Sequence, residues 1–304
     1  MSQTQALPTT RQPRAYGVIA AGVVAISMAA IFIRLAQAEG IPSLLIAASR
    51  LALAALILTP PVLRRYRGEL RSLSRPDLLL AGISGLFLAI HFATWISSLE
   101  HVSVLISGVL VTTSPLWVAL LERVFLRTRL SQLVIAGLFV ALIGGIVVGL
   151  PSGGTFEIGK NPPLGALLAT VGAVGVAVYY VIGRKLRREL SLLPYIWLVY
   201  GCAAVLLLVL VLLLGIPVTG YSAKGYLWLV ALALVPQLIG HSSFNYALKY
   251  IPATFVSLIT QLEPVLSGLA AWVVFREVPG LLQVAGSAVI LIGVTLAIWG
   301  QGRA

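Results

Sequence analysis

Gln237, His241 and Asn245 recur at every fourth position, so on an α-helix they share one face of a stretch otherwise as apolar as Leu238-Ile239-Gly240. Beyond a turn at Tyr250-Ile251-Pro252, a second apolar run carries Ser257, Gln261 and Glu263-Pro264. Amides, imidazoles and carboxylates can hold a polar solute or move a proton, and hydrocarbon offers them no water in exchange. A charge at bilayer depth costs about 2.5–3.5 kcal/mol even on insertion scales, so such groups must face protein or a wet cavity. Two readings stay open: the stripe lines a path through a bilayer, or it is hydrogen-bond glue between helices, worth about 0.6 kcal/mol per bond. One coherent face favours the path.

His91 and Trp95 repeat the spacing of His241 and Asn245. A neutral imidazole can bond a solute or titrate; the plainer alternative is a histidine held by a backbone carbonyl. Neither histidine is accompanied by a His-x-x-x-His pattern or a carboxylate cluster, so neither a metal site nor a cofactor is expected. Tyr179, Tyr180, Trp117 and Tyr246 supply aromatic surface at interior depths, whereas Tyr221, Tyr226, Trp228 and Trp299 suit the membrane–water interface. Arg50 and Glu263 are the costliest buried candidates: the carboxylate could take a proton or an amine, or simply pair with an arginine. Pro115 and Pro264 each remove a helix hydrogen bond and can kink the chain. Thr113, a further cavity candidate, and its neighbours Thr112 and Ser114 could instead back-bond within their own helix.

The elements that must position these residues are long and apolar. The 304 residues are 59% hydrophobic and 10% charged, far from the roughly 25% charged of soluble domains. Ten spans are expected, near 16–36, 43–63, 77–98, 102–122, 130–150, 163–183, 194–214, 224–247, 252–274 and 280–299. The first is too long for a signal peptide. The lone Cys202 excludes an intramolecular disulfide and a multi-cysteine metal site. A net charge of +12 is compatible with nucleic acid, but the basic residues lie between apolar runs, as the positive-inside rule requires, and no nucleic-acid partner is expected. Arg64, Arg65, Arg67, Arg71 and Arg75, then Arg123, Arg127 and Arg129, then Arg184, Lys185, Arg187 and Arg188 mark cytoplasmic connections. Those around Glu39, Glu100 and Glu157 are poor in positive charge, which places both termini in the cytoplasm.

The chain also repeats itself. Leu99 matches Leu248, Pro115 matches Pro264, Arg127 matches Arg276, Gly137 matches Gly286 and Gly144 matches Gly293, all at one offset, 264 − 115 = 149. The expected organisation is a tail (1–15), a five-helix unit (16–150), a Gly- and Pro-rich linker (151–162), a second unit (163–299) and a short tail (300–304). An odd number of spans per unit inverts the second copy, the plan of many secondary transporters. The small-residue runs Gly17, Ala21, Ala25, Ala29 and Gly165, Ala169, Gly172, Gly175 let helices approach closely at matched positions, whether as movable or static packing.

The two units resemble the paired EamA-type domains of the drug/metabolite transporter superfamily. The resemblance rests on Arg50, Thr113-Ser114-Pro115-Leu116, Ala247-Leu248-Lys249-Tyr250-Ile251-Pro252, Leu262-Glu263-Pro264, Phe275-Arg276-Glu277, Gly286 and Ile292-Gly293-Val294. The first copy departs from the pattern, with Thr128 where the second has Glu277. Among subgroups the chain is most similar to exporters of aromatic amino acids of the YddG type. The resemblance implies an all-α basket of ten helices around a central cavity in the bacterial inner membrane, with amino acids as the small-molecule partner; the sequence leaves the oligomeric state open, with a monomer favoured. A membrane enzyme would need a nucleophile–base pair at one depth, a channel a ring of filter residues, and an ATP-driven pump a Walker A pattern; the sequence supplies none of these. With a lining of neutral dipoles and aromatic faces, the expected binding is loose and broad, favouring aromatic and larger neutral amino acids over acidic ones.

Overall fold

The computed structural model describes residues 11–102, 104–127, 130–148, 150, 161–275 and 280–301. Thr128, Arg129, Arg276, Glu277, Pro279 and most of the expected linker, including Glu157, lie outside the described residues, as does most of each expected tail. Every described element is helical: α1 (Arg11–Ser27), α2 (Ala29–Ala38), α3 (Ser43–Arg65), α4 (Arg67–Arg71), α5 (Arg75–Ser98), α6 (Val104–Val111), α7 (Ser114–Phe125) and α8 (Gln132–Val148) in the first part. The second part holds α9 (Pro162–Leu186), α10 (Leu192–Leu213), α11 (Ala223–Leu232), a π-helical segment (Ala233–His241), α12 (Ser242–Ala247), α13 (Ala253–Ile259), a 3-10 turn (Thr260–Leu262), α14 (Glu263–Phe275) and α15 (Leu281–Gln301).

Polar caps start several of these helices. The Ser74 hydroxyl accepts from the Asp77 N–H at 3.3 Å, the Asn161 side chain from the Leu164 N–H at 3.3 Å, and Ser222 from the Gly225 N–H at 3.0 Å. Proline lies in the first turn of α5 and of α9, where its missing N–H costs nothing. Among the described residues, six helical stretches are long and apolar enough to cross a membrane: Arg14–Ala38, Ser43–Arg65, Arg75–Ser98, Pro162–Leu186, Leu192–Leu213 and Ala223–Ala247. Gln132–Val147 and Val284–Ala297 are shorter apolar helices. Outward-facing Leu56, Leu79, Phe139, Val205 and Leu213 are exposed, a surface that suits hydrocarbon and not water.

Four expected helices depart from regular α winding along their length. The first breaks at Met28, and the expected 102–122 span is divided between α6 and α7 at Thr112–Thr113. Pro115 has no N–H to offer the carbonyl one turn back, and the chain tightens locally, with the Thr113 N–H donating to Leu110 at 3.2 Å and that of Leu116 to Thr113 at 3.0 Å. In the second copy the 3-10 turn stands at the matching place: α14 begins at Glu263 and α7 at Ser114, again 263 − 114 = 149. Pro264 follows at the second position of α14; its side chain lies outside the described residues. The expected α-helical 224–247 instead carries the π segment around Pro236, whose missing donor disfavours regular α winding there.

Glycines set the closest helix contacts. A β-carbon built on Gly137 would lie 2.5 Å from the Gly293 carbonyl oxygen, and one on Gly144 would lie 2.8 Å from that of Gly286. These paired contacts run α8 antiparallel to α15. Between α9 and α5, a β-carbon on Gly175 would meet the Phe87 carbonyl at 3.0 Å and the His91 nitrogen at 3.1 Å. Where α1 crosses the π segment and the start of α12, a β-carbon on Gly22 would meet Ser243 of α12 at 2.6 Å and the Gly240 carbonyl at 3.3 Å, and one on Gly240 would meet Ile26 at 3.1 Å.

One end of the bundle is tied by charged side chains on backbone groups. Glu122, buried at the end of α7, accepts from the Ala253 N–H at 2.9 Å, and from the Thr254 N–H at 2.8 Å and hydroxyl at 2.6 Å, capping α13. Arg184 donates to the Leu248 carbonyl at 2.7 Å and Arg187 to that of Asn245 at 3.0 Å, so the end of α9 closes over the end of α12. Glu69 of α4 accepts from the Ser191 N–H at 2.6 Å. The lone carboxylate in the apolar run around Leu120-Leu121 was the one sequence signal for this cap.

Two stability measurements in detergent check this account. Gly137→Ala is expected to destabilise by about 1–3 kcal/mol, because its β-carbon meets backbone that cannot yield, whereas Gly17→Ala, with open space around it, is neutral or slightly stabilising. Glu122→Ala orphans two N–H groups of a helix start and is expected to cost about 1–3 kcal/mol, much of it recovered by Glu122→Gln. Thermal unfolding of the four variants that left Gly137→Ala unchanged, or separated Glu122→Ala from wild type by nothing, would contradict the packing described.

Candidate functional site

Arg50, in the first half of α3, has no exposed surface. Its Nε donates to Gln237 Oε1 at 3.0 Å, and its guanidinium carbon stands 4.2 Å from the centroid of the Phe92 ring. Cation–π contact of this kind is worth up to about 2 kcal/mol when water is excluded. Neither Nη1 nor Nη2 has a hydrogen-bond partner. Glu263 does not close this gap: the two charges lie within electrostatic reach of each other, but Arg50 spends its one formed bond on an amide. The expectation that the glutamate pairs with an arginine is therefore not met by Arg50.

The π segment and α12 bring the Gln237, His241 and Asn245 stripe against this charge, all three buried. The winding differs from the α-helix expected, yet the wider π turn keeps residues four apart on roughly one side. Asn245 Nδ2 donates to the Tyr200 hydroxyl at 3.2 Å and the His241 carbonyl at 2.8 Å, and also to the Tyr179 hydroxyl. Tyr200 meets Ser242 at 3.3 Å, and Gln237 Nε2 is buried without a partner. His241 Nδ1 and Asn245 Oδ1 are buried without partners.

From the other side, α5 contributes a stacked aromatic wall. Trp95 lies on His91 with centroids 5.8 Å apart and planes 10° apart, and the Phe92 ring stands edge-on to His241 at 5.2 Å. His91 itself is held by a backbone carbonyl, its Nδ1 2.9 Å from that of Gly172, the plainer of its two readings. Tyr180 packs beside Tyr179 with centroids 5.2 Å apart, both buried.

Other candidates stand apart. Thr113 spends its hydroxyl on the Leu110 carbonyl at 2.7 Å within its own turn and receives the Trp117 indole N–H at 3.3 Å, so it bonds locally as the alternative reading held. Trp117 is 36% exposed rather than interior, and Tyr246 pairs with Tyr250 at 5.1 Å near the Arg184–Leu248 contact. Gln261 is buried in the 3-10 turn with Oε1 unpartnered. Pro115 lies in the first turn of α7 at a helix break. Sequence reasoning missed Phe92 and Tyr200: each is one more aromatic in an apolar run, and their importance lies in touching Arg50 and Asn245 across helices.

This arrangement can bind but has little to react with: donors and acceptors converge around one fixed cation, with aromatic faces beside them. Known proteins agree with that character. The profile of the EamA-like transporter family matches residues 14–150 and again 163–299. An uncharacterized transporter of Archaeoglobus fulgidus is 25% identical over 228 residues, 75% of this chain and 79% of that protein. The uncharacterized transporter YdfC of Bacillus subtilis is 25% identical over 219 residues (72% and 70%), and the pseudopaline exporter CntI of Pseudomonas aeruginosa is 24% identical over 219 residues (71% and 72%). A crystal structure at 22% identity superposes with a TM-score of 0.80, covering 96% of this chain and 99% of the other, and shares the fold. Matched twice along its length, this chain belongs to the EamA-like transporter family of the drug/metabolite transporter superfamily and is a membrane transporter.

Proposed function

We propose that the protein is a secondary transporter that exports amino acids or similar small amphipathic metabolites, aromatic ones favoured, across the bacterial inner membrane by alternating access. The observation that carries this reading is the buried cluster of Arg50, Gln237, His241 and Asn245, drawn from both halves of the chain, with polar atoms left unpartnered among aromatic rings. Groups so costly to bury in a lipid-facing protein are expected where a solute completes their hydrogen bonds. The Pseudomonas aeruginosa relative is an exporter by name, which supports the direction.

The architecture in this reading is ten crossings in two inverted copies, residues 16–150 and 163–299, with both termini cytoplasmic. The six long helices and two shorter ones are joined by the two broken spans, α6–α7 and α13–α14. The glycine contacts support a two-fold relation. Gly137 meets Gly293 while Gly144 meets Gly286, and the offset of 149 converts the first pair into the second. That exchange of partners is what a two-fold axis between α8 and α15 requires, and their antiparallel course supports its lying in the membrane plane. His91, Trp95, Tyr179, Tyr180, Gln237, His241, Asn245 and Gln261 are the proposed solute-facing residues, with Glu263 as a charge or proton site and Pro115 and Pro264 as hinges.

Two experiments test the reading. A cysteine introduced at Arg67 should label with a membrane-impermeant maleimide only from the cytoplasmic side; labelling from outside would overturn the topology. Gln237→Leu keeps the volume and removes the amide, and is expected to lower amino-acid transport into proteoliposomes at least tenfold, about 1.4 kcal/mol, in a protein that still elutes as a single species. Full activity of Gln237→Leu would make the stripe packing glue.

A further inference from the structure

We infer that Arg50 is the docking group for a carboxylate on the transported solute, which it grips through its Nη1–Nη2 edge; this rests on the transporter reading above. A guanidinium has five N–H donors in a rigid fork. In Arg50 the Nε–H is used by Gln237 at 3.0 Å, and the four donors on Nη1 and Nη2 have no acceptor although no part of the residue reaches solvent. Gln237 and Phe92 together leave the fork little freedom. The amide fixes rotation in the guanidinium plane, and the ring, 4.2 Å from the guanidinium carbon, covers one face. What stays open is an edge of two parallel donors, whose best match is a carboxylate bound in bidentate fashion.

Among the described residues, none supplies that acceptor. Besides the Phe92 ring, the His91 and His241 rings, the Tyr200 hydroxyl, the Gln237 amide and the Glu263 carboxylate reach Arg50 by field or contact. Glu263 is the carboxylate among them, and it starts α14 without reaching either Nη. A buried charge left without a partner is strongly destabilising, so its retention calls for an anion that arrives from outside the protein. Asn245, on the same stripe as Gln237, leaves Oδ1 as a second buried polar atom without a partner, an acceptor that an N–H elsewhere on the solute would satisfy. A carboxylate for Arg50 and an N–H for an amide oxygen are both groups that an amino acid carries.

The test is competition for labelled L-phenylalanine in proteoliposomes by phenylalanine, phenylalaninamide, phenethylamine and 3-phenylpropionate, with Arg50→Lys and Arg50→Gln beside the wild type. Phenylalanine should compete at least tenfold better than phenylalaninamide or phenethylamine. Arg50→Lys keeps the charge but not the fork and should lose at least tenfold in apparent affinity. Arg50→Gln should be inert yet melt no lower than wild type, because it removes an unsatisfied buried charge; a purely structural arginine would lower the melting temperature instead. Better competition by phenylpropionate than by the amide supports the carboxylate grip, and its shortfall against phenylalanine reads the ammonium. An amide that competes as well as the acid, or an Arg50→Gln that transports at the wild-type rate, overturns the inference. Uptake of phenethylamine without any carboxylate overturns it and leaves the transporter assignment standing, whereas a wild type that moves none of the four overturns it together with the amino-acid reading. Should Arg50→Gln fail to fold, the wild-type comparison of acid and amide decides alone.

Discussion

A guanidinium held inside an apolar bundle by one hydrogen bond, Arg50 Nε to Gln237 Oε1, is the interaction around which the centre of this transporter is arranged. The stripe on the π segment faces α3 because that is where the cation needs an amide. Phe92 lies over the guanidinium because an aromatic face is the one apolar surface that attracts a cation. Asn245 takes its three acceptors from Tyr179, Tyr200 and its own helix and so fixes the tyrosines that border the charge. Without Arg50 the same aromatics would be ordinary core, and the polar residues would have no common object.

The scaffold around that charge is made of helix pairs that touch backbone to backbone. In hydrocarbon there is no hydrophobic drive between helices, so close approach and dispersion must do the work, and glycine is the residue that permits it. Gly137, Gly144 and Gly293 interlock α8 with α15 so tightly that a side chain at any of the three would meet backbone of the partner helix. The α5–α9 and α1–π-segment contacts use the same device nearer the site, at Gly175 and Gly22. The helices that carry His91 and His241 are therefore placed by glycines distant in sequence, Gly175 and Gly22, while Tyr179 shares its helix with Gly175.

Much of this was legible in the chain itself. Hydropathy located the six long helices because a bilayer crossing needs a long apolar run, and the offset of 149 pointed to the repeat that the family profile matches twice. The stripe Gln237, His241, Asn245 was visible as polarity at helical spacing. What was not legible depends on contacts across helices. Periodicity cannot show that Arg50 would choose Gln237 over Glu263, that Phe92 would cover it, or that Glu122 would cap a helix 131 residues away. Nor does a single proline announce whether it will break a helix, as near Pro115, or widen it, as at Pro236; neighbouring packing decides.

The sequence alone suggested a lining of neutral dipoles and hence loose recognition, while the structure puts a fixed cation at the centre. The two are compatible if recognition is divided along the solute. Arg50, held in plane by Gln237, offers rigid geometry to one polar end, and a rigid fork rejects a solute that lacks the matching anion. The remaining surface, with Trp95 stacked on His91 and Tyr180 against Tyr179, is flat and aromatic, and such faces distinguish side chains by size at only about 1–3 kcal/mol per methylene. A site of this kind is strict about the class of solute and permissive about its members. For a transporter that must also let go, the division has a further merit. If Arg50 takes the solute's carboxylate as proposed, release has a single charged grip to break, because the aromatic faces hold the rest of the solute by contact alone.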